Sequence, residues 1–273
     1  MRLPMFGLAA GFIVTAAIMI AIRLDGGGLS TVPATELRFE PRASVVEAAP
    51  GEIVIIASRE YHRGSGLVWN ATSGERVPVP NDTITTTWLL IGDEPGTISK
   101  KHSVQRDLAG NVVQEELYER AVEYVYFAPG GKMRVWPQNN TWTFSLSEDI
   151  NTILENLGDE AVYRGETRIN NRDVHLIERR WSATQSQQPL SEGGYRGIDT
   201  SDLDVREFVS RFAYDVDDHS FVQREMVAVD ASGVETLLSS RTIDDVSISA
   251  VAALPEDTFS LQFVPQGILE RDG

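Results

Sequence analysis

The 273-residue chain contains no cysteine. This absence excludes disulfide bonds, thiolate nucleophiles and cysteine-ligated zinc, together with the cysteine that carries the lipid of a bacterial lipoprotein. Basic residues are also few, because 24 lysines and arginines stand against 40 aspartates and glutamates, for a net charge of −16. A field of that sign repels phosphate groups, so we predict no nucleic-acid partner.

Catalytic motifs are scarce as well. The four histidines, His62, His102, His175 and His219, do not have the spacing of a metal-binding helix. The chain lacks Gly-x-Ser-x-Gly, a glycine-rich phosphate loop and Ser-x-x-Lys. We therefore predict no catalytic residues, no metal ligands and no cofactor. An unrecognised hydrolase remains a hypothesis, because an active site can be built without these motifs.

One acidic stretch, Asp215-Val216-Asp217-Asp218-His219, has to be tested as a calcium site. A helix–loop–helix calcium loop needs glycine at its sixth position and glutamate at its twelfth. Those positions are Ser220 and Met226. Strand-like sequence on both sides favours a solvated turn, in which Asp bonds to its own backbone. Weak calcium binding is the alternative.

A long apolar stretch, residues 4–22, contains no charged side chain. As a helix it spans about 28 Å at ~1.5 Å per residue, close to the hydrocarbon thickness of a bilayer. We predict a membrane anchor or signal segment over 1–23, followed by a flexible tether over 24–36. The rule that positive charge stays inside favours a single-pass protein of the cell membrane with its main domain extracytoplasmic. If the leader is cleaved, the protein is secreted instead.

The remaining sequence is typical of an α+β fold. Short β-branched and apolar runs alternate with turn residues, and turns are predicted at Thr72-Ser73-Gly74, within a hairpin, and at Asn170-Asn171. One amphipathic helix is predicted over 145–158 and a second, shorter one over 201–208. We predict a single β-rich extracytoplasmic domain over 37–265 and a tail over 266–273. Its architecture should be a large curved antiparallel sheet, a half-barrel, covered by a few helices.

Aromatic residues are concentrated between 118 and 144, and more of them occur in the strand over 204–216. A curved sheet folded over helices can enclose an apolar cavity, and such clefts bind lipophilic ligands. The alternative is ordinary core packing. The candidate cavity-lining residues are Tyr124, Tyr126, Trp136, Trp142, Phe212 and Tyr214.

The C-terminal motifs resemble a known family. The strand ending in Tyr214-Asp215-Val216-Asp217 is followed by Val222-Gln223-Arg224-Glu225, then Asp230-Ala231-Ser232-Gly233, and finally Leu254-Pro255-Glu256-Asp257-Thr258-Phe259. This order, over 160–265, resembles the LolA/LolB-like and RseB-like extracytoplasmic lipoprotein-binding fold. The resemblance implies a half-barrel closed by helices that binds acyl chains or a lipidated or peptide partner without catalysis.

The chain departs from this family in its apparent anchor and in extra length around 37–110. A tethered protein cannot shuttle, so the resemblance to RseB-like proteins implies a sensor or acceptor of the bacterial cell envelope. Our first hypothesis is a protein held in the inner membrane by residues 4–22 that binds a lipid, a lipoprotein or another apolar ligand. The alternative is an envelope protein–protein interaction module without a lipid ligand, which contacts its partner through a sheet edge or its acidic surface.

Overall fold

The structure is a computed structural model that describes residues 32–33, 39, 48–64, 66–94, 97–137, 150–157, 160–183, 200 and 202–265. The first strands are β1 (Val32–Pro33), β2 (Glu52–His62), β3 (Leu67–Trp69), β4 (Arg76–Pro78), β5 (Asp82–Ile91), β6 (Ile98–Asp107) and β7 (Val112–Glu119). They are followed by β8 (Val122–Phe127), β9 (Lys132–Pro137), α1 (Ile150–Leu157), β10 (Ala161–Ile169), β11 (Arg172–Ser182), β12 (Val205–Asp215), β13 (Phe221–Asp230) and β14 (Glu235–Ala250). A short 3₁₀ turn, Val251–Ala253, comes after β14.

Twelve of these strands form one antiparallel sheet in the order β1-β10-β11-β12-β13-β14-β2-β5-β6-β7-β8-β9. Among the described residues, the edge strands β1 and β9 do not pair with each other, so the sheet is open. Strands β3 and β4 form a separate hairpin. The large antiparallel sheet is confirmed, and its open order fits a half-barrel.

Turn chemistry explains where the chain reverses. The predicted turn at Asn170-Asn171 joins β10 to β11, and both residues have positive φ values of 49° and 65°. Two-residue hairpin turns require this left-handed backbone, which asparagine adopts more easily than most residues. The turn before β7 uses Gly110 at φ 89°. These positions fix the register of the strands on both sides.

Helix α1 is the helical element that positions the candidate site. Ile150 and Leu154 are 1% and 0% exposed, one helical turn apart on the same side. The helix was predicted over 145–158, and the described part of it, Ile150–Leu157, is confirmed; residues 145–149 and 158 lie outside the described residues.

The short helix predicted over 201–208 is wrong from Val205 onward, because β12 begins there. Phe208 pairs with Trp181 on one side and with Ala228 on the other. The backbone bonds and side-chain burial supplied by two neighbouring strands outweigh the weak helical pattern of this segment.

Strand β14 is longer than its neighbour β13. Its pairing with β13 runs from Glu235 to Thr242, whereas its pairing with β2 continues to Ala250. The strands on the β13 side of the sheet are therefore offset from those on the β2 side. This offset leaves one end of β14 beyond the last paired residue of β13.

Within the described ranges, no helix is long and apolar enough to cross a membrane. The predicted membrane segment (4–22) and the tail (266–273) lie outside the described residues, as does most of the tether (24–36). The anchor, the domain limits and the extracytoplasmic location stay predictions.

Candidate ligand-binding face

The sheet has two faces, because alternate residues of each strand point in opposite directions. We call the face against which α1 packs the inner face and the opposite one the outer face. Phe212 of β12 packs in the cluster that contains the buried residues of α1. Its paired neighbours mark the inner face across the sheet: Arg224, Arg241, Glu60 and Thr83.

The part of the inner face under α1 is closely packed and apolar. Each member of this first cluster is at most 9% exposed: Ile150, Leu154, Ala161, Ile177, Phe212 and Tyr214. Side chains from a helix and from three neighbouring strands thus exclude water together. This end of the inner face forms part of the hydrophobic core.

An aromatic group borders this cluster. The ring of Phe39 lies 4.6 Å from that of His175 and 5.4 Å from that of His219, measured between centroids. The Tyr163 hydroxyl and Nδ1 of His175 are 3.0 Å apart, within hydrogen-bond distance. Burial raises the pKa of Tyr163, and the nearby charge of Glu166 raises it further. This tyrosine therefore stays neutral and can act as a hydrogen-bond donor.

The apolar surface continues along the inner face through Phe221, which packs against the first cluster and against a second one. The buried residues of the second cluster are Val54, Ile56, Leu89, Ile91, Ile98 and Ile243. An apolar band therefore runs from β10 to β6 on a single face of the sheet.

Beside this band the inner face becomes polar. In the Thr-Ile-Thr-Thr-Thr stretch of β5, the inner-facing positions are Thr83, Thr85 and Thr87. The hydroxyls of Thr87 and Ser103 lie 2.8 Å apart, and Nε2 of Gln105 donates to Oγ1 of Thr83 at 2.9 Å. These uncharged groups form a row of donors and acceptors across β5 and β6.

A charged group ends this polar row on β7. Nζ of Lys101 lies 2.5 Å from Oε2 of Glu116, and Nε2 of Gln114 lies 2.5 Å from Oε1 of the same carboxylate. Because both oxygens of Glu116 are occupied, the lysine charge is balanced locally. The hydroxyls and amides of β5 and β6 are the uncharged polar groups of this face, and Glu60 and Arg241 on the neighbouring strands are charged.

Thr85 is the most informative member of this row. Its Oγ1 is buried and has no hydrogen-bond partner among the described residues. Ser58 of β2 and Gln105 of β6 are its cross-strand neighbours. An unsatisfied buried hydroxyl costs free energy on the order of 1–3 kcal/mol. A ligand atom that bonded to it would recover part of that cost.

The predicted cavity-lining residues do not share one face. Phe212 and Tyr214 lie on the inner face under α1, whereas Tyr124 and Tyr126 lie on the outer face, as their pairing with Leu117 and Glu115 shows. Their role in lining a cavity stays a prediction, and the candidates described by the structure divide between the two faces of the sheet. The reason is the twofold period of strands, which sends residues on different strands to either face according to register.

The other two predicted residues fall at the margin. Trp136 of edge strand β9 points to the inner face and is 39% exposed, with the guanidinium carbon of Arg134 5.9 Å from its ring. Trp142 lies outside the described residues. Contact of any of the six residues with a ligand stays a prediction. The threonine row was missed, although alternating threonines in β5 are visible in the sequence.

The outer face carries a buried contact between a histidine and a glutamate beneath the C-terminal segment. Nε2 of His102 and Oε1 of Glu115 are 2.9 Å apart, and the side chains are 1% and 0% exposed. The same carboxylate accepts hydrogen bonds from the backbone amides of Gln262 at 2.7 Å and Phe263 at 2.9 Å. Burial alone would raise the pKa of the Glu115 carboxyl, but these hydrogen bonds outweigh it and hold the pKa below its usual value.

A histidine beside a carboxylate is a pairing that hydrolases also use. Here the carboxylate is bound to the backbone of the C-terminal segment, and the ring of His102 stacks on Trp88 at 5.5 Å. A group that is at most 1% exposed has no room for a substrate. The arrangement fits a structural contact rather than a catalytic one.

The acidic stretch 215–219 is a turn, as predicted. The Asp217 amide donates to Oδ1 of Asp215 at 2.8 Å, and the Ser220 amide donates to Oδ1 of Asp218 at 2.7 Å. His219 has a φ of 59°. Within the part of the chain that the structure describes, no group of three or more His, Asp or Glu residues could hold a metal ion.

No protein-family model matches this chain, and no curated protein sequence matches it either. Among solved structures it is similar to LprF from Mycobacterium bovis, with 10% identity, coverage of 79% of this chain and 88% of that one, and a TM-score of 0.33. It is similar to the Mycobacterium tuberculosis lipoprotein LppX, with 8% identity, coverage of 73% and 85%, and a TM-score of 0.32.

A third similar structure is a LolA superfamily protein from Nitrosomonas europaea, with 14% identity, coverage of 84% of this chain and 94% of that one, and a TM-score of 0.21. Because these TM-scores lie below 0.5, the function has to be inferred from the residues of this chain itself.

Proposed function

We propose that the inner face of the sheet binds an amphipathic ligand without catalysis. An acyl chain of a lipid or lipoprotein would lie along the apolar band, and its polar end would meet the threonine, serine and glutamine row of β5 and β6. The observation that supports this most is the change from apolar to polar side chains along one face, next to the Thr85 hydroxyl, which has no hydrogen-bond partner among the described residues.

The two parts of this face would contribute in different ways. Each methylene group transferred from water to an apolar surface contributes about 0.8 kcal/mol, so the chain supplies most of the affinity. A hydrogen bond to Thr85 adds roughly 1 kcal/mol, and it fixes the orientation of the ligand. Such a division is typical of ligand sites, which are mostly apolar with a few placed polar groups.

The cellular setting belongs to the same proposal. The uncharged residues 4–22 would anchor the protein in the bacterial inner membrane, and the β-rich domain would work as an extracytoplasmic sensor or acceptor. Net charge supports the choice of ligand, since a charge of −16 disfavours polyanionic partners.

A direct test uses residues 37–273, once a cooperative urea transition has shown that they fold. Native mass spectrometry of this protein, purified without detergent, should detect a bound lipid or acyl-bearing molecule. A fluorescent fatty acid should then bind with saturation. If the protein is free of ligand and takes up no fatty acid, the proposal is wrong.

Two variants of β5 locate the site. Thr85→Val removes the inner-face hydroxyl with little change in volume and should weaken fatty-acid binding about five-fold, as expected for one hydrogen bond. Thr86→Val makes the same change on the outer face of the same strand and should leave binding unchanged. Equal effects of the two substitutions would show that the ligand does not lie on the inner face.

A further inference from the structure

One strand within the sheet has an open edge. Strand β14 is paired with β2 as far as Ala250, but its pairing with β13 ends at Thr242. On the side away from β2, alternate backbone N–H and C=O groups of Asp245–Ala250 have no strand partner among the described residues. Such a row of unpaired groups can accept another strand.

The side chains leave this edge accessible. Asp245, Ser247 and Ala250 are exposed, and Ile248 is 43% exposed. Val246 and Ile248 point to the inner face, where Val246 packs against the second apolar cluster. An added strand could therefore extend the apolar band while it bonded to the backbone of β14.

Charged residues occur only at the start of the edge, at Asp244 just before it and at Asp245, its first residue. Asp244 is the extra residue of a bulge, and its carboxylate is bonded to Nε of Arg59 at 2.8 Å. Bulges and charges at the start of an edge prevent unwanted pairing. Residues 246–250, Val-Ser-Ile-Ser-Ala, contain none of the lysine, proline or charged residues that usually block an exposed edge.

We propose that Asp245–Ala250 is a docking site for an extended peptide segment of a partner protein, which adds to β14 as a strand. The backbone would supply the hydrogen bonds, and apolar side chains at alternate positions of the peptide would contact Val246 and Ile248. Asp245 is exposed at one end of the edge, so a lysine or arginine of the peptide fits opposite it.

A basic partner is a better fit than a second copy of this chain. Two copies would each carry a net charge of −16, and repulsion between them opposes association. A basic peptide is attracted by the same charge. This docking site is independent of the ligand proposed for the inner face, because its contacts come mainly from the backbone of one strand.

The test uses the full-length protein in nanodiscs and a synthetic peptide, Lys-Val-Thr-Val-Thr-Val, labelled with a fluorophore. Saturable binding is expected from fluorescence anisotropy. Hydrogen exchange should show that the alternate amides of Asp245–Ala250 that point away from β2 exchange fast in the free protein and slow down when the peptide is bound. A peptide whose alternate amides are N-methylated cannot complete the ladder, and it should not bind.

Matched variants distinguish strand addition at this edge from nonspecific hydrophobic binding. Ile248→Ser should weaken peptide binding roughly ten-fold, the effect of losing one buried aliphatic side chain. Ile84→Ser is the control, because Ile84 is 41% exposed but lies on β5, which is paired on both sides. Asp245→Lys should weaken binding of the basic peptide about two- to five-fold, as for an exposed ion pair.

Three results would overturn the proposal. The first is equal binding of the N-methylated peptide, and the second is slow exchange, in the free protein, of the amides of Asp245–Ala250 that point away from β2. The third is protection of these amides that rises with protein concentration without any peptide, which would assign the edge to a second copy instead. None of these results bears on fatty-acid binding, so the two proposals fail separately.

Discussion

Replacing Glu115 with glutamine should destabilise the protein by breaking the contact that holds the C-terminal segment to the outer face. The carboxylate is 0% exposed and accepts hydrogen bonds from Nε2 of His102 and from the backbone amides of Gln262 and Phe263. A glutamine side chain keeps one acceptor oxygen but presents an NH₂ group in place of the other. At least one of the three donors would then face another donor.

The magnitude follows from that geometry. A hydrogen bond to a charged group contributes about 1.5–3 kcal/mol, and a buried donor left without a partner costs about 1–3 kcal/mol. We therefore expect Glu115→Gln to lower the free energy of unfolding by about 3 kcal/mol at pH 7, a large share of the ~5–15 kcal/mol typical of a domain.

The effect should depend on pH in a defined direction. The pKa of Glu115 is lowered in the folded protein, so the carboxylate contributes its full stabilisation above the unfolded value of about 4.3. That contribution is lost as the pH falls through the lower, folded pKa. The difference between wild type and Glu115→Gln should therefore shrink on acidification below about pH 4.

Urea unfolding followed by tryptophan fluorescence measures this directly, because Trp88 stacks on His102, which contacts Glu115. Glu75→Gln removes an exposed carboxyl in the β3–β4 hairpin and serves as the control, with an expected change within about 0.5 kcal/mol. Limited proteolysis should also cut the C-terminal segment earlier in Glu115→Gln. Equal stability of the two variants at pH 7 would refute the reasoning, and so would a difference that does not change with pH.

Two further predictions concern α1 and the outer face. Leu154→Ala should lower the free energy of unfolding by about 3 kcal/mol, because the side chain is 0% exposed in the first apolar cluster. Glu155→Ala, on the exposed side of the helix, is the control and should have little effect. Equal urea midpoints for the two variants would contradict this packing. The pKa of Glu225 is raised, mainly by burial. The charge of Arg211 lowers this pKa and that of Glu235 raises it, so the net shift is upward. Ionisation therefore costs stability as the pH rises from the unfolded value of about 4.3 through the folded pKa, so Glu225→Gln should raise the urea midpoint at pH 7 and leave it unchanged near pH 4.

Local sequence chemistry was sufficient to predict much of the sheet. The turn at Asn170-Asn171, the hairpin around residues 72–74 and the acidic turn over 215–219 all occur where predicted, because each depends on residues that favour a particular backbone geometry. The order of the strands was not predictable in the same way. Pairing of β14 with β2 joins residues far apart in the chain, and short-range periodicity carries no information on such pairs.

The candidate site was harder to predict than the fold. Aromatic residues were selected by composition, but the face on which each lies depends on bulges such as the one between Ala213 and Tyr214. One extra residue reverses the direction of every later side chain in a strand. The inner-face threonines of β5 could have been found by alternation alone, yet their role depends on β6 lying beside them, which is a property of the fold.

The packing under α1 restricts where an apolar ligand can lie. Leu154, Ile177 and Tyr214 are at most 1% exposed, so the space between the helix and β10–β12 is already filled by the protein. An acyl chain would have to displace that core, at a cost of several kcal/mol for each large side chain moved. In the second cluster Val54 and Leu89 are similarly buried, at 1% and 3% exposed, whereas Thr85 and Thr87 of β5 are half-buried, so the part of the inner face that a ligand can reach lies in the polar row. If so, Leu154→Ala should lower the free energy of unfolding without changing fatty-acid binding in the fraction that remains folded. Thr85→Val should instead weaken fatty-acid binding without lowering the free energy of unfolding.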